Sequence, residues 1–121
     1  MSARLLRCAV VYSVIGISMG IAMAGSHDFT NKGVHVHANL VGWVSMAVKA
    51  LAYRAFPAQA ASRLASVHFW LHNLGLPVML VGLYALLHAI AWGEPVVAVG
   101  SIIVALAFVC FAVNVFRHAH D

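Results

Sequence analysis

The chain has 121 residues, of which 64% are hydrophobic and only 8% charged, with a formal net charge of +4. Soluble domains carry roughly 25% charged residues, and a chain this short has too much surface to hide so many apolar side chains from water. A soluble globular domain is therefore excluded, and a bilayer becomes the solvent.

A spanning α-helix needs about 20 mostly apolar residues. Four stretches meet that need, Leu5–Ala24, Val34–Ala55, Leu64–Ala91 and Pro95–Phe116. They predict an all-α, four-transmembrane-helix domain over residues 1–121 with helices at 5–24, 34–55, 64–91 and 95–116. The first run follows Arg4 and Arg7 and ends on Ala22-Met23-Ala24-Gly25, which is also how a cleaved secretory signal reads. The run is longer than the apolar core of such signals, so it is expected to stay as a helix. It carries Gly16-xxx-Gly20-xxx-Ala24, a small-residue face suited to close helix packing within one subunit or between subunits. The connections are short and turn-rich: Gly25-Ser26-His27-Asp28, then 57–63, then Trp92-Gly93-Glu94-Pro95. They make each helix antiparallel to its neighbour.

The seven basic residues Arg4, Arg7, Lys32, Lys49, Arg54, Arg63 and Arg117 read as lying at the ends of apolar runs, in no stripe. That is the pattern of topology signals and anionic-lipid contacts rather than of nucleic-acid binding. Arg4, Arg7, Arg54, Arg63 and Arg117 fall on the side of both termini and the second loop. Only Lys32 falls on the other side, offset by Asp28 and Glu94. Both termini are therefore predicted to be cytoplasmic, in a multi-pass protein of a bacterial inner membrane. Cys8 and Cys110 form no CxxC or CxxCH motif and read as small buried hydrophobes.

Eight histidines carry the chemistry, since ionisable groups inside a bilayer are costly and mark function by default. Asp28, Glu94 and Asp121 all lie at ends, so no carboxylate is available inside a helix to orient a histidine in a hydrolase triad or to hold a di-iron site. Neutral imidazoles in an apolar bundle suit haem iron, zinc or copper. His35 and His37 are two positions apart and point roughly 200° apart on a helix. They cannot grip one metal from one continuous helix, but each can serve a cofactor on its own flank, or both can reach headgroups and water. His68 and His72 share a face at i, i+4. They read either as a pair for a second metal such as copper or zinc, or as side chains hydrogen-bonded to neighbouring helices. His88, near the end of the third helix, reads as a haem-propionate contact or a snorkelling side chain. His118 and His120 read as a solvated tail.

Gly33-Val34-His35-Val36-His37, then Leu40-Val41-Gly42-Trp43-Val44-Ser45-Met46, Ala50-Leu51-Ala52-Tyr53 and Pro57, is similar to the tenth transmembrane helix of the catalytic subunit of cbb3-type cytochrome c oxidases, in the haem–copper oxidase superfamily. His68-Phe69-Trp70-Leu71 with Gly75 resembles that subunit's eleventh helix. The resemblance covers about residues 33–83. It implies that His35 binds one haem and His37 another. The family's copper site also uses a His-His pair and a crosslinked tyrosine, which this chain lacks, so the resemblance does not extend to oxygen reduction or proton pumping. The family's twelve helices form three arcs of four around three pores. One four-helix arc then implies a C3 homotrimer, with haem b at each subunit boundary held by His35 of one chain and His37 of the next.

The sequence therefore reads as a membrane-bound, bis-His cytochrome b for electron transfer, exchanging electrons with a redox partner or quinone. Trp43 and Trp70 are candidates for packing on the haem. Other readings are a five-coordinate haem that binds NO, CO or O2, copper, zinc or haem handling through His68 and His72, and an accessory subunit of a respiratory oxidase.

Overall fold

The computed structural model describes residues 1–120; Asp121 lies outside the described residues. Among them the regular structure is entirely helical. Helix α1 spans Ser2–Ser26, α2 Lys32–His37, α3 Ser45–Ala55, α4 Pro57–Ala61, α5 Arg63–Leu87 and α6 Gly93–His118, with a π-helical segment at Ala38–Val44 between α2 and α3. Three of these, α1, α5 and α6, are each long and apolar enough to cross a membrane.

The helix expected over 34–55 is not among those three, and the chain there takes a different form. From Lys32 to Ala55 the chain follows one helical path, with right-handed backbone angles at both junctions of the π segment. It is not one α-helix, because over Ala38–Val44 the ladder widens, and the Ser45 amide donates to the Leu40 carbonyl five residues back. The Ser45 hydroxyl donates to the same oxygen at 2.8 Å. The sequence explains the widening. Val34, Ala38, Gly42, Met46 and Ala50 recur every four residues, and all are buried. On a 3.6-residue helix a four-residue repeat drifts by roughly 40° at each step. The π turn absorbs that drift and keeps all five on the inner face. Gly42 sits under the Tyr12 ring of α1, where a Cβ would come within 2.5 Å of the ring.

Helix α5 stops at Leu87, short of the expected Ala91. His88 and Ala89 leave the helix in a reverse turn, with Ala89 at φ 55°. Its amide donates to Leu86 O at 3.1 Å and that of Ile90 to Ala85 O at 2.9 Å, the paired bonds of a Schellman cap. At its other end, the Ser62 hydroxyl accepts from the Ala65 amide at 3.2 Å, a normal N-cap.

Helices α5 and α6 make the closest pair. On α6 the buried positions Gly93, Gly100, Ala107 and Asn114 repeat every seven residues. A Cβ at Gly82 of α5 would meet the Val97 backbone, and one at Gly100 would meet that of Met79. Backbone contact of this kind gives van der Waals packing, which drives association in lipid, where burying apolar area gains little. The core joins Leu5 and Ala9 of α1, Met46, Ala50 and Tyr53 of α3, Ala65, Phe69, Leu76 and Met79 of α5, and Val104 of α6. Each long helix buries a narrow stripe only. Val10, Val11, Val14, Ile17 and Ile21 of α1 all face outward.

Candidate haem site and a buried polar cluster

Two separate sets of histidines stand in the structure, one near an end and one in the interior. The first set occupies the end formed by the loops after α1 and α5. His35 lies on the flank of α2 that faces α1. Its Nδ1 is 2.7 Å from Gly16 O. A carbonyl oxygen can only accept, so Nδ1 carries the proton and Nε2 of the neutral ring carries the lone pair. The ring is half-buried and seated over Gly20, where a Cβ would come within 3.0 Å of its Cε1. Asn39, one turn on, donates to His35 O at 2.9 Å and fills the space over Gly16. The Gly16-xxx-Gly20 face thus seats two polar side chains of the same chain.

His37 is exposed and lies on the other flank. Its Nδ1 is 2.8 Å from Gly33 O, so here too Nδ1 donates and Nε2 carries the lone pair. A Cβ on Gly33, one turn before it, would lie 3.6–3.7 Å from Leu83 and Leu87 of α5. The helical-wheel separation of His35 and His37 survives because residues 32–37 are regular α-helix; the π segment begins after them. An open groove of about 350 Å³ beside His35 is lined by Val36, Asn39, Leu40 and Val44.

His88 is at the same end. Its Nε2 lies 3.1 Å from Asn31 Oδ1, and its ring stacks on Tyr84 with centroids 4.3 Å apart. It is exposed, and Asn31 precedes His35 by one turn. In the nearby loop Asp28 Oδ1 accepts from the Thr30 hydroxyl at 2.6 Å and the Thr30 amide at 3.0 Å. These bonds, hydroxyl first, hold its carboxyl below the usual aspartate range. The two tryptophans are elsewhere. Trp70 is 55% exposed and directed outward, and it lies between His68 and His72, at the depth of residues 41–53. Trp43 is half-buried against the core, two turns past His35.

The second set is the interior of the α3–α5–α6 contact. His68 and His72 are fully buried, as is Tyr53, and Lys49 is 4% exposed. Tyr53 OH lies 2.9 Å from His68 Nδ1. Lys49 Nζ lies 3.3 Å from His72 Nδ1, and His72 Nε2 lies 3.1 Å from Val41 O. Lys49 Nζ also sits 3.1 Å from the Phe108 ring centroid and 5.4 Å from that of Phe111. Both nitrogens of His72 are thus engaged, and each histidine bonds across to the neighbouring helical segment. No group of three or more His, Cys, Asp or Glu side chains is placed to hold a metal among the described residues. Lys49, counted from sequence among the run-end charges, is instead an interior cation six residues before the end of α3. Its i, i+4 match to Tyr53 was the available signal, since Met46, Lys49, Ala50 and Tyr53 share the inner face.

Below this cluster, the Ser62 hydroxyl donates to Asn114 Oδ1 at 2.7 Å and Asn114 Nδ2 donates to Gln59 O at 3.0 Å. This ties α4 and the start of α5 to the end of α6. Cys8 and Cys110 are free thiols. No family model, curated protein or solved structure matches the chain.

Proposed function

We propose that the chain is a membrane-bound b-type haem protein that transfers single electrons, built as a C3 homotrimer on the plan of a single haem–copper oxidase subunit I arc. On this reading the second helical path also crosses the membrane, making four spans. The observation that carries the reading is the matched state of His35 and His37: in both, a backbone carbonyl takes the Nδ1 proton and leaves the Nε2 lone pair free. Histidines that ligate metals characteristically donate their other ring N–H in this way, which fixes tautomer and orientation. The two lone pairs leave the helix on opposite flanks. Each therefore serves a separate iron, and each iron takes His35 from one copy and His37 from the next. The outward apolar side chains Val36, Leu40 and Val44 beside His35 supply a wall that a neighbouring copy would close. A haem held by His35 of one copy and His37 of the next would supply one-electron exchange. The chain's own residues bind it, orient it and exclude water from it.

The purified trimer should show a low-spin b-type spectrum, with one haem per chain. His35→Ala and His37→Ala should each remove that spectrum while the helical signal and trimer mass remain. Colourless protein from haem-replete cells would end the reading. A second reading, a five-coordinate haem held by His35 alone for binding NO, CO or O2, is favoured by one observation: His35 is half-buried and seated, whereas His37 is exposed. Under it, His37→Ala keeps its haem, and reduced wild-type protein shifts its spectrum with CO.

A further inference from the structure

We infer that Lys49, His72, His68 and Tyr53 form a proton-exchange site buried in the membrane and served from the loop between α3 and α5. The ligand is a proton delivered from water at that side. The site is independent of the haem reading.

The hydrogen-bond roles lead to it. His72 Nε2 faces the Val41 carbonyl and must donate, so Nδ1 of the neutral ring is a base and accepts from Lys49. Lys49 and His72 are then two bases sharing a proton. With Lys49 as ammonium, the amine donates to Nδ1; with His72 as imidazolium, Nδ1 donates to the neutral amine. The phenyl faces of Phe108 and Phe111 favour the cation on Nζ. Among the described residues no carboxylate answers that charge. The other titratable or charged groups on the packed elements are Arg4, Arg7, Cys8 and Tyr12 of α1, Arg54 of α3, Arg63 and Tyr84 of α5, and Glu94, Cys110, Arg117 and His118 of α6, none of them buried. On α5 the neighbours are the two histidines, and on α3 Tyr53. A carboxylate-free cation this deep is costly, and an apolar residue of similar size would serve packing better.

His68 provides the connection. Its Nδ1 meets Tyr53 OH, while its Nε2 is fully buried with no hydrogen-bond partner among the described residues. Either direction of the Tyr53 bond leaves Nε2 unsatisfied, as a bare lone pair or as an unaccepted N–H. Neither tautomer is locked. An imidazole in this state takes a proton on one nitrogen and releases one from the other. The rings of His68 and His72 are perpendicular with centroids 5.6 Å apart, a gap closed by ring rotation or one bridging water. Tyr53 lies two residues from the end of α3. Beside that end are the buried Gln59, whose amide N and O also have no partner, and the Ser62–Asn114 pair. In balanced form, hydronium on the loop side gives a proton to the Tyr53 oxygen as its hydroxyl proton passes to His68 Nδ1. With the pair in its neutral form, His68 releases its Nε2 proton to the free amine of Lys49, which then donates to His72 Nδ1, leaving water outside and one added charge inside.

The test uses the full chain in bilayers with 15N-labelled histidine, transferred to deuterated buffer. The expected result is that the ring N–H protons of His68 and His72 exchange within minutes, in spite of complete burial, and that Tyr53→Phe slows this about tenfold or more with the other histidine signals unmoved. Lys49→Met should shift the His72 Nδ1 resonance and leave His68 exchange intact. Ring protons retained for days in the wild type would overturn the inference without need of any variant. Equal exchange in wild type and a folded Tyr53→Phe would do the same.

Discussion

Replacing Gly20 with leucine perturbs the proposed haem site without removing either proposed ligand. In the structure the His35 ring lies against the bare Gly20 backbone, and a single Cβ there already reaches 3.0 Å from Cε1. Alanine asks for a shift of a few tenths of an ångström, whereas the further carbons of leucine occupy the space of the imidazole itself. The ring must then swing away and give up its 2.7 Å bond to Gly16 O. A neutral hydrogen bond of this kind contributes about 0.5–1.5 kcal/mol, and losing the partner that orients a ligating histidine costs roughly 10–100-fold in metal affinity. Leucine is a good helix former and suits a lipid-facing run, so α1 itself should persist. Haem titration of the apoprotein, with circular dichroism as control, should show that loss for Gly20→Leu and a smaller one for Gly20→Ala. Unchanged haem affinity in a folded Gly20→Leu protein would refute the assignment of His35 as a seated ligand.

Gly82→Val should separate α5 from α6, because its Cβ would fall on the Val97 backbone; a cost of about 1–3 kcal/mol or more is expected, read as loss of thermal stability in detergent. Ala89→Gly should stabilise, since Ala89 holds φ 55° and a left-handed residue with a Cβ costs roughly 1–2 kcal/mol, partly offset by glycine's greater chain entropy; a rise in melting temperature checks it. Tyr53→Phe should cost about 1–3 kcal/mol by leaving His68 Nδ1 unpaired in the core, and much of that loss should vanish in the Tyr53→Phe, His68→Phe double variant. Asp28 has a folded pKa below its unfolded value of 3.8, so its contribution is full above that value and fades as pH falls through the lower folded one; Asp28→Asn should lower the melting temperature at neutral pH and flatten its fall on the acid limb.

The all-helical class and the ends of the first and last spans were legible in the sequence, because uninterrupted apolar length is a strong signal in a bilayer. The opposed directions of His35 and His37 were legible too, since α2 is regular over those residues. The π segment was hidden by the assumption of a 3.6-residue turn, although the four-residue spacing of Val34, Ala38, Gly42, Met46 and Ala50 pointed to it. The early end of α5 was missed because Ala89 and Ile90 are apolar and nothing but backbone geometry marks the reverse turn. Lys49 was misread because charge counting treats every cation near a helix end alike; its i, i+4 spacing to Tyr53 hinted at the inner face, and the packing of Phe108, Phe111 and His72 around it shows that it points inward. Trp70 faces outward, at the depth of the Lys49 cluster. A single helix cannot show which ring lies level with which in an antiparallel neighbour.

The central claim is that each haem is held by His35 of one copy and His37 of the next, and co-expression of the His35→Ala and His37→Ala chains tests it most directly. Either variant alone should be colourless. In randomly mixed trimers about a quarter of the boundaries pair an intact His35 with an intact His37, so roughly that fraction of the wild-type low-spin haem should return. Failure of the mixed, folded trimers to recover any haem would contradict a ligand set shared between copies.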